Sequence, residues 1–261
     1  MVTRFSVEGQ TVIITGSSQG IGAATAKQFA ADGANVVVTS RSPERIEAVA
    51  TSITESDRPG TAIAVECDVR DRDAVDALIE TTVETFGRLD SMVNNAGASF
   101  MSTVDDISEN GWKTIIDVNL HGTFHCAQAA GKQMQTQDDG GTIVNLASIA
   151  GTTGSQFMSH YAAAKAAVIN FTTSLSAAYA EHGIRVNCVA PGLVGTEGVA
   201  TQMGLDPSDV DRTTVDKTMG TPDEIADIIH FLASEASSYI VGETIVAQGV
   251  PTLEDSQWGA T

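Results

Sequence analysis

Short β-branched runs alternate with longer segments of helical period through most of the 261 residues, and this alternation restricts the fold more than any other feature. The runs are Thr11 to Thr15, Asn35 to Thr39, Thr61 to Glu66, Ser91 to Asn94, Gly141 to Leu146, Arg185 to Val189 and Thr244 to Ala247. Several, such as Val36-Val37-Val38, do not alternate apolar with polar residues, as expected of strands covered on both faces. Helical segments are expected between them at Ile21 to Asp32, Pro43 to Glu55, Arg72 to Phe86, Ser108 to Gln135, Tyr161 to His182 and Pro222 to Ala233. Right-handed crossovers wind such units into an α/β, doubly wound domain. Its seven-stranded parallel sheet would be flanked by helices, with a binding crevice at the strand carboxyl ends. No linker, repeat or composition break divides residues 1–261, so a single domain is expected. The one long connection, Gly192 to Thr221, carries Gly195, Gly198, Gly204 and Pro207 and is expected to form a lid over a site.

The first strand runs directly into Thr15-Gly16-Ser17-Ser18-Gln19-Gly20-Ile21-Gly22, and an apolar helix comes next. Glycines at this spacing allow a tight turn and close approach of backbone to a phosphate, while the helix N-terminus offers free N–H groups and partial positive charge. A glycine cluster alone could be a mere turn. Its place between a buried strand and an apolar helix points to a dinucleotide pyrophosphate cradle.

Three further elements lie in register: Asn94-Asn95-Ala96-Gly97 after the fourth strand, Ser148 after the fifth, and Tyr161-Ala162-Ala163-Ala164-Lys165 opening a helix. Tyr161 and Lys165, four residues apart, share a helical face. Reduction of a ketone leaves a developing alkoxide that needs a proton, and a nearby ammonium is expected to lower the phenol pKa of Tyr161.

With these motifs the chain resembles the short-chain dehydrogenase/reductase family over essentially its whole length, and is similar to 3-oxoacyl-carrier-protein reductases among its members. The resemblance implies that Tyr161 is the general acid/base and Ser148 orients the substrate oxygen. It implies that Lys165 holds the nicotinamide ribose and that Asn119 supports a water-linked proton relay. It places cofactor contacts on Gly16, Ser18, Gln19, Gly20, Ile21 and Gly22, then on Asp68-Val69 beside adenine and on Asn95, Ala96 and Gly97. Pro191, Gly192, Val194 and Thr196 match the segment that meets the nicotinamide carboxamide, and Tyr161 and Lys165 also touch the cofactor. A homotetramer built through the helices after Ser108 and Tyr161 is implied as well, with Ala162, Ala163, Ala166 and Ala167 small enough for close helix approach.

Cofactor choice turns on the end of the second strand. Ser40 stands where an acid would repel a 2′-phosphate, and Arg41 offers a guanidinium suited to one, so NADP(H) is favoured over NAD(H). Gln19 stands where some NADP users have a basic residue, which argues the other way. Substrate is less legible. Ala98 to Met101, Gly151 to Met158 and the lid are expected to line an apolar pocket with Phe100, Phe157, Met158 and Met203, and Gln156 as a polar contact. A small carbonyl or secondary alcohol is expected. An acidic acyl carrier would need a basic patch, and only Lys132 contributes to one, with Ala177 where such reductases tend to place an arginine. A regulator or scaffold that binds dinucleotide without turnover is the competing class, but it would have no need of the Ser148, Tyr161 and Lys165 set.

Composition limits partners and setting. There are 33 acidic against 14 Lys and Arg residues, giving a net charge of -19, and the acids are scattered. Such a surface repels nucleic acid and anionic membranes. The five lysines, Lys27, Lys113, Lys132, Lys165 and Lys217, with so much acid, suggest a halophilic protein, against an ordinary acidic one. Cys67, Cys126 and Cys188 lie in apolar stretches and read as reduced core residues, and no leader or membrane span is seen, so a cytoplasmic protein is expected. His121 and His125 have a metal-compatible spacing but no third ligand, so no metal is expected, and His160, just before Tyr161, is placed to border the site although the resemblance assigns that position no fixed role. At the carboxyl end, Gln248-Gly249-Val250 replaces the family's Asp-Gly-Gly, which puts the turn there in doubt.

Overall fold

The computed structural model describes residues 4–199 and 210–250. Its central sheet has seven strands: β1 (Thr11–Thr15), β2 (Asn35–Ser40), β3 (Thr61–Glu66), β4 (Ser91–Asn94), β5 (Gly141–Leu146), β6 (Ile184–Pro191) and, last in the chain, β9 (Thr244–Ala247). They pair in the order β3-β2-β1-β4-β5-β6-β9, and every pairing is parallel. The order reverses between β1 and β4, which opens the crevice at their carboxyl ends.

One face is covered by α1 (Gly20–Ala31), α2 (Pro43–Thr54) and α8 (Pro222–Ala233), whose apolar residues meet Val12, Ile14, Val36 and Val38. The other carries α3 (Arg72–Phe86), α5 (Gly122–Met134) and α7 (Ser159–Tyr179), packed on Ile13, Val37, Met92 and Ile143. Adjacent positions of one strand thus enter opposite cores, which is why Val36, Val37 and Val38 are all apolar. Cys67, Cys126 and Cys188 are buried free thiols.

Helix ends obey local chemistry. Asp71 caps α3 by accepting from the N–H of Asp73, and Thr221 with Glu224 forms a reciprocal capping box on α8. The expected helix from Ser108 to Gln135 is divided: α4 (Glu109–Ile116) and α5 are joined by a π-helical turn at Asp117–His121. The expected 192–221 loop includes a short parallel pair, β7 (Leu193–Val194) with β8 (Met219–Gly220), because Gly195 N–H reaches Gly220 O at 2.8 Å. Lys217 Nζ lies 2.6 Å from Glu224 Oε1, tying the returning arm to α8. Met203, Gly204 and Pro207, and the tail from Pro251, lie outside the described residues. The turn at Gln248-Gly249-Val250 is ordered without the family residues. Gly249 takes a φ of 72°, where a Cβ would meet Lys217 O, and Val250 N–H donates to that same oxygen at 3.0 Å.

Candidate active site

The crevice begins at the glycine turn between β1 and α1. Gly16 has a φ of 64° and Gly20 of 55°, conformations that L side chains rarely adopt. A Cβ on Gly16 would lie 2.8 Å from Ala96 Cα, and one on Gly22 would lie 2.6 Å from both Gly16 O and Asn95 Nδ2. Thr15 and Asn95 lock this turn. Thr15 Oγ1 accepts from the N–H groups of Asn95 and Ala96 at 3.0 Å each, while Asn95 Nδ2 donates to Thr15 O at 2.8 Å and Gly16 O at 3.1 Å. The Asn95 side chain therefore braces the cradle. Ser17 Oγ donates to Ile14 O at 2.6 Å and accepts from Thr39 N–H at 2.9 Å, which links the turn to β2.

Above this turn lies a cavity of about 650 Å³. Its walls gather most of the expected cofactor residues: Gly16, Ser18, Gln19, Gly20 and Ile21 from the turn, Ser40 and Arg41 after β2, and Asp68 and Val69 after β3. Asn95, Ala96 and Gly97 after β4 join them, with Thr196 from the far side. Gly22 lies beneath the turn, while Pro191 at the end of β6, Gly192 after it and Val194 in β7 lie outside this cavity. The cavity fits an extended dinucleotide: backbone N–H groups at a helix N-terminus, no room for a Cβ in the turn, and guanidinium groups at one end. Asp68 lines it with its carboxylate already engaged by Arg70, whose Nη2 lies 2.5 Å away. That hydrogen bond holds Asp68 below its usual pKa.

Arg45, Thr39, Ser42, Cys67 and Val118 also line the cavity without having been expected as cofactor contacts, and Ala98, expected on the substrate side, lines it too. Arg45 had a legible signal, since it lies four residues beyond Arg41 at the start of an expected helix. Its Nη1 donates to Gln19 Oε1 at 2.8 Å, so the glutamine that argued against NADP holds a second guanidinium at the same end.

The residues expected to be catalytic, Asn119, Ser148, Tyr161 and Lys165, lie beyond the cavity. Asn119 sits in the π-helical turn, fully buried. Its Nδ2 donates to Ala98 O at 2.8 Å and Ile115 O at 2.9 Å. Such turns occur often at functional sites, because the extra residue shifts the register of the helix beyond it. Ser148 stands just past β5, and the short α6 (Ala150–Thr153) packs so closely on α7 that a Cβ on Gly151 would lie 2.7 Å from Lys165 C. Tyr161 and Lys165 come from the start of α7. A buried chain fixes that helix: Asn94 Nδ2 donates to Asn145 Oδ1 at 2.8 Å, and Asn145 Nδ2 donates to Thr172 Oγ1 at 2.9 Å. Asn145 and Thr172 were missed, as they carry no motif.

Lys165 is 3% exposed, and its Nζ donates to Leu146 O at 2.6 Å. Burial pushes its pKa down to about 8, partly countered by Cys188. The expected lowering of the Tyr161 pKa is absent here. Burial raises it, and a hydrogen bond with Ser148 offsets only part of that rise. The Lys165 ammonium is spent on Leu146 O and stands 5.6 Å from the Tyr161 ring centroid. His121 Nδ1 lies 2.9 Å from Asp117 Oδ1 and His125 Nδ1 lies 3.0 Å from Val69 O, so the two rings serve different partners. Among the described residues no cluster of three metal-ligating side chains occurs.

The fold is a Rossmann-type α/β domain with a glycine-rich turn at the head of its crevice, as in dinucleotide-binding oxidoreductases. A family model for short chain dehydrogenases matches residues 10–203, and the chain belongs to that family. It is 37% identical to the short-chain reductase protein NovJ of Streptomyces niveus, over 95% of this chain and 96% of that one. It is 38% identical to a 3-oxoacyl-(acyl-carrier-protein) reductase of Synechocystis, over 94% and 97%, and 36% identical to glucose 1-dehydrogenase 2 of Bacillus subtilis, over 95% and 97%. A crystal structure of a short-chain type dehydrogenase/reductase from Mycobacterium marinum superposes with a TM-score of 0.84 at 35% identity, covering 94% of this chain and 96% of that one.

Proposed function

We propose that the protein interconverts a carbonyl compound and its secondary alcohol using NADP(H), with Tyr161 as general acid/base. The observation that carries this reading is the gathering of Ser148, Tyr161 and Lys165 at one place: Ser148, just past β5, comes close enough to the phenol to hold its pKa partly down, and Lys165 Nζ stands 5.6 Å from the Tyr161 ring centroid. A bound nicotinamide cofactor would supply or accept the hydride. Ser148 hydrogen-bonds the substrate oxygen and so fixes the carbonyl against Tyr161. Tyr161 Oη gives its proton to that oxygen in reduction and takes it back in oxidation. Its raised pKa keeps the phenol protonated near neutral pH, which suits the reducing direction. Lys165 holds a positive charge or a hydrogen-bond donor at the place where a ribose and the phenol oxygen would come together, and Asn119 braces the turn beside it.

Ser40, Arg41 and Arg45 support NADP(H): no acid faces the cavity at the end of β2, and two guanidiniums do. Residues 1–261 would act as one cofactor-binding and catalytic domain, with 192–221 as its substrate lid, in a cytoplasmic homotetramer adapted to high salt. No helix among the described residues is long and apolar enough to cross a membrane. The test is oxidation of NADPH and of NADH against a carbonyl panel at low and multimolar potassium chloride. Arg41→Ala should raise KM for NADPH roughly tenfold and leave NADH unchanged. Equal efficiency with both cofactors overturns the NADP reading, and no turnover with any carbonyl overturns the enzyme. A melting temperature indifferent to salt overturns the halophilic reading, and a monomer on sizing chromatography overturns the tetramer.

A further inference from the structure

His160 immediately precedes Tyr161 and is fully buried, yet neither Nδ1 nor Nε2 has a hydrogen-bond partner. The Ser159 Oγ beside it is also buried and unpartnered. Both belong to the first turn of the 21-residue helix α7, whose N-cap, Met158, contributes no side-chain hydrogen bond. Donors and acceptors therefore collect, unused, one residue from the expected proton donor. A fold that needed only packing here would place an apolar side chain, because a buried polar group without a partner is costly.

The cover over His160 is thin. The Phe100 ring lies on the imidazole with centroids 4.2 Å apart, and Phe100 is itself 40% exposed. The far edge of that ring meets Gly111 of α4, where a Cβ would come within 3.0 Å of Phe100 Cζ. Ser102 N–H donates to Phe157 O at 2.8 Å, joining the two segments that flank Ser148 and Tyr161. His160 thus packs beneath Phe100, in the segment expected to line the substrate pocket, and one 40% exposed ring is the cover shown over it on that side. Burial lowers its pKa, so the imidazole is neutral, with one donor and one acceptor to offer.

We propose that His160, with Ser159 at the N-terminus of α7, forms a second polar subsite that hydrogen-bonds an uncharged oxygen of the substrate a few atoms from the reacting carbonyl. The substrate class is a ketone bearing an ester, amide or hydroxyl oxygen. A neutral imidazole under an aromatic ring suits an uncharged group better than a carboxylate. The inference rests on the carbonyl-reductase reading for its choice of ligand.

The experiment reads binding and turnover separately. Protein labelled with ¹⁵N-histidine and saturated with NADP⁺ is titrated with ethyl acetoacetate, and with 2-heptanone as the probe lacking a second oxygen. His160 is assigned by its loss in His160→Phe. Ethyl acetoacetate should shift the His160 ring resonances and 2-heptanone should not, and the shift should persist in Tyr161→Phe. In steady-state assays with NADPH, His160→Phe should lower kcat/KM for ethyl acetoacetate roughly tenfold and leave 2-heptanone within about twofold. His160→Gln, which keeps a donor and an acceptor, should recover part of the loss. Equal effects on both probes, or no selective resonance shift, overturn the subsite while leaving the reductase reading intact. A selective shift without turnover of either probe would support the subsite and count against the reductase reading.

Discussion

The two ends of the crevice are built in opposite ways. At the cradle end, Thr15, Ser17 and Asn95 each satisfy backbone groups of the turn, and the glycines exclude any Cβ, so the surface is set before a ligand arrives. At the end proposed for the substrate, the His160 ring nitrogens and Ser159 Oγ lack partners, and Phe100, Met101 and Phe157 are 40%, 70% and 44% exposed. A shared cofactor can be met by rigid backbone, whereas a particular substrate is met by side chains whose groups are left free. Stability should therefore reside in the first end and chemistry in the second.

The largest test of that contrast is Tyr161→Phe. It removes one hydroxyl and should lower kcat by about 10² to 10⁴, with the melting temperature little changed, as read by NADPH oxidation and calorimetry. Lys165→Met comes next and separates stability from function at one site. The Lys165 pKa is about 8 when folded, against about 10.4 for an unfolded lysine, so the unfolded chain binds the extra proton between those values. This burial cost is complete below about pH 8 and fades as pH rises from there to about 10.4. The variant should thus gain a few kcal/mol of stability at pH 7 and much less at pH 10, measured by urea denaturation, while losing activity.

Gly22→Ala probes the rigid end. Its Cβ would sit 2.6 Å from Gly16 O, so a loss of about 1–3 kcal/mol is expected, together with weaker NADPH binding in fluorescence titration. The smallest effect belongs to the open end: Phe157→Ser, at a residue 44% exposed, should change stability by under about 0.5 kcal/mol while altering KM across a carbonyl panel. If Gly22→Ala is tolerated and Phe157→Ser unfolds the protein, the contrast between the ends fails.

Much of this architecture is legible in the sequence. The strand runs, the glycine turn and the Tyr161/Lys165 spacing are local patterns, and local patterns arise from backbone sterics and helical period. The π-helical turn at Asp117–His121 was not legible, because the extra residue rotates the apolar stripe by about 100°, and the flanking helices of 8 and 13 residues are too short for that phase shift to stand out. Asn145 and Thr172 were missed for another reason: a buried polar residue in a strand or helix reads as ordinary until its partner is known. The direction of the Tyr161 pKa was misjudged because desolvation depends on everything packed around the phenol, and the neighbouring lysine is only one such group.

By itself the sequence determined the order of the main strands and helices, the glycine turn after the first strand and the shared helical face of Tyr161 and Lys165, since each rests on spacing along one chain. Tertiary structure alone decided that Gln19 holds Arg45 toward the cavity, that Leu146 O holds the Lys165 ammonium, and that His160 is buried without a partner. Those outcomes depend on distances between residues far apart in the chain, and on the water that packing removes from around them.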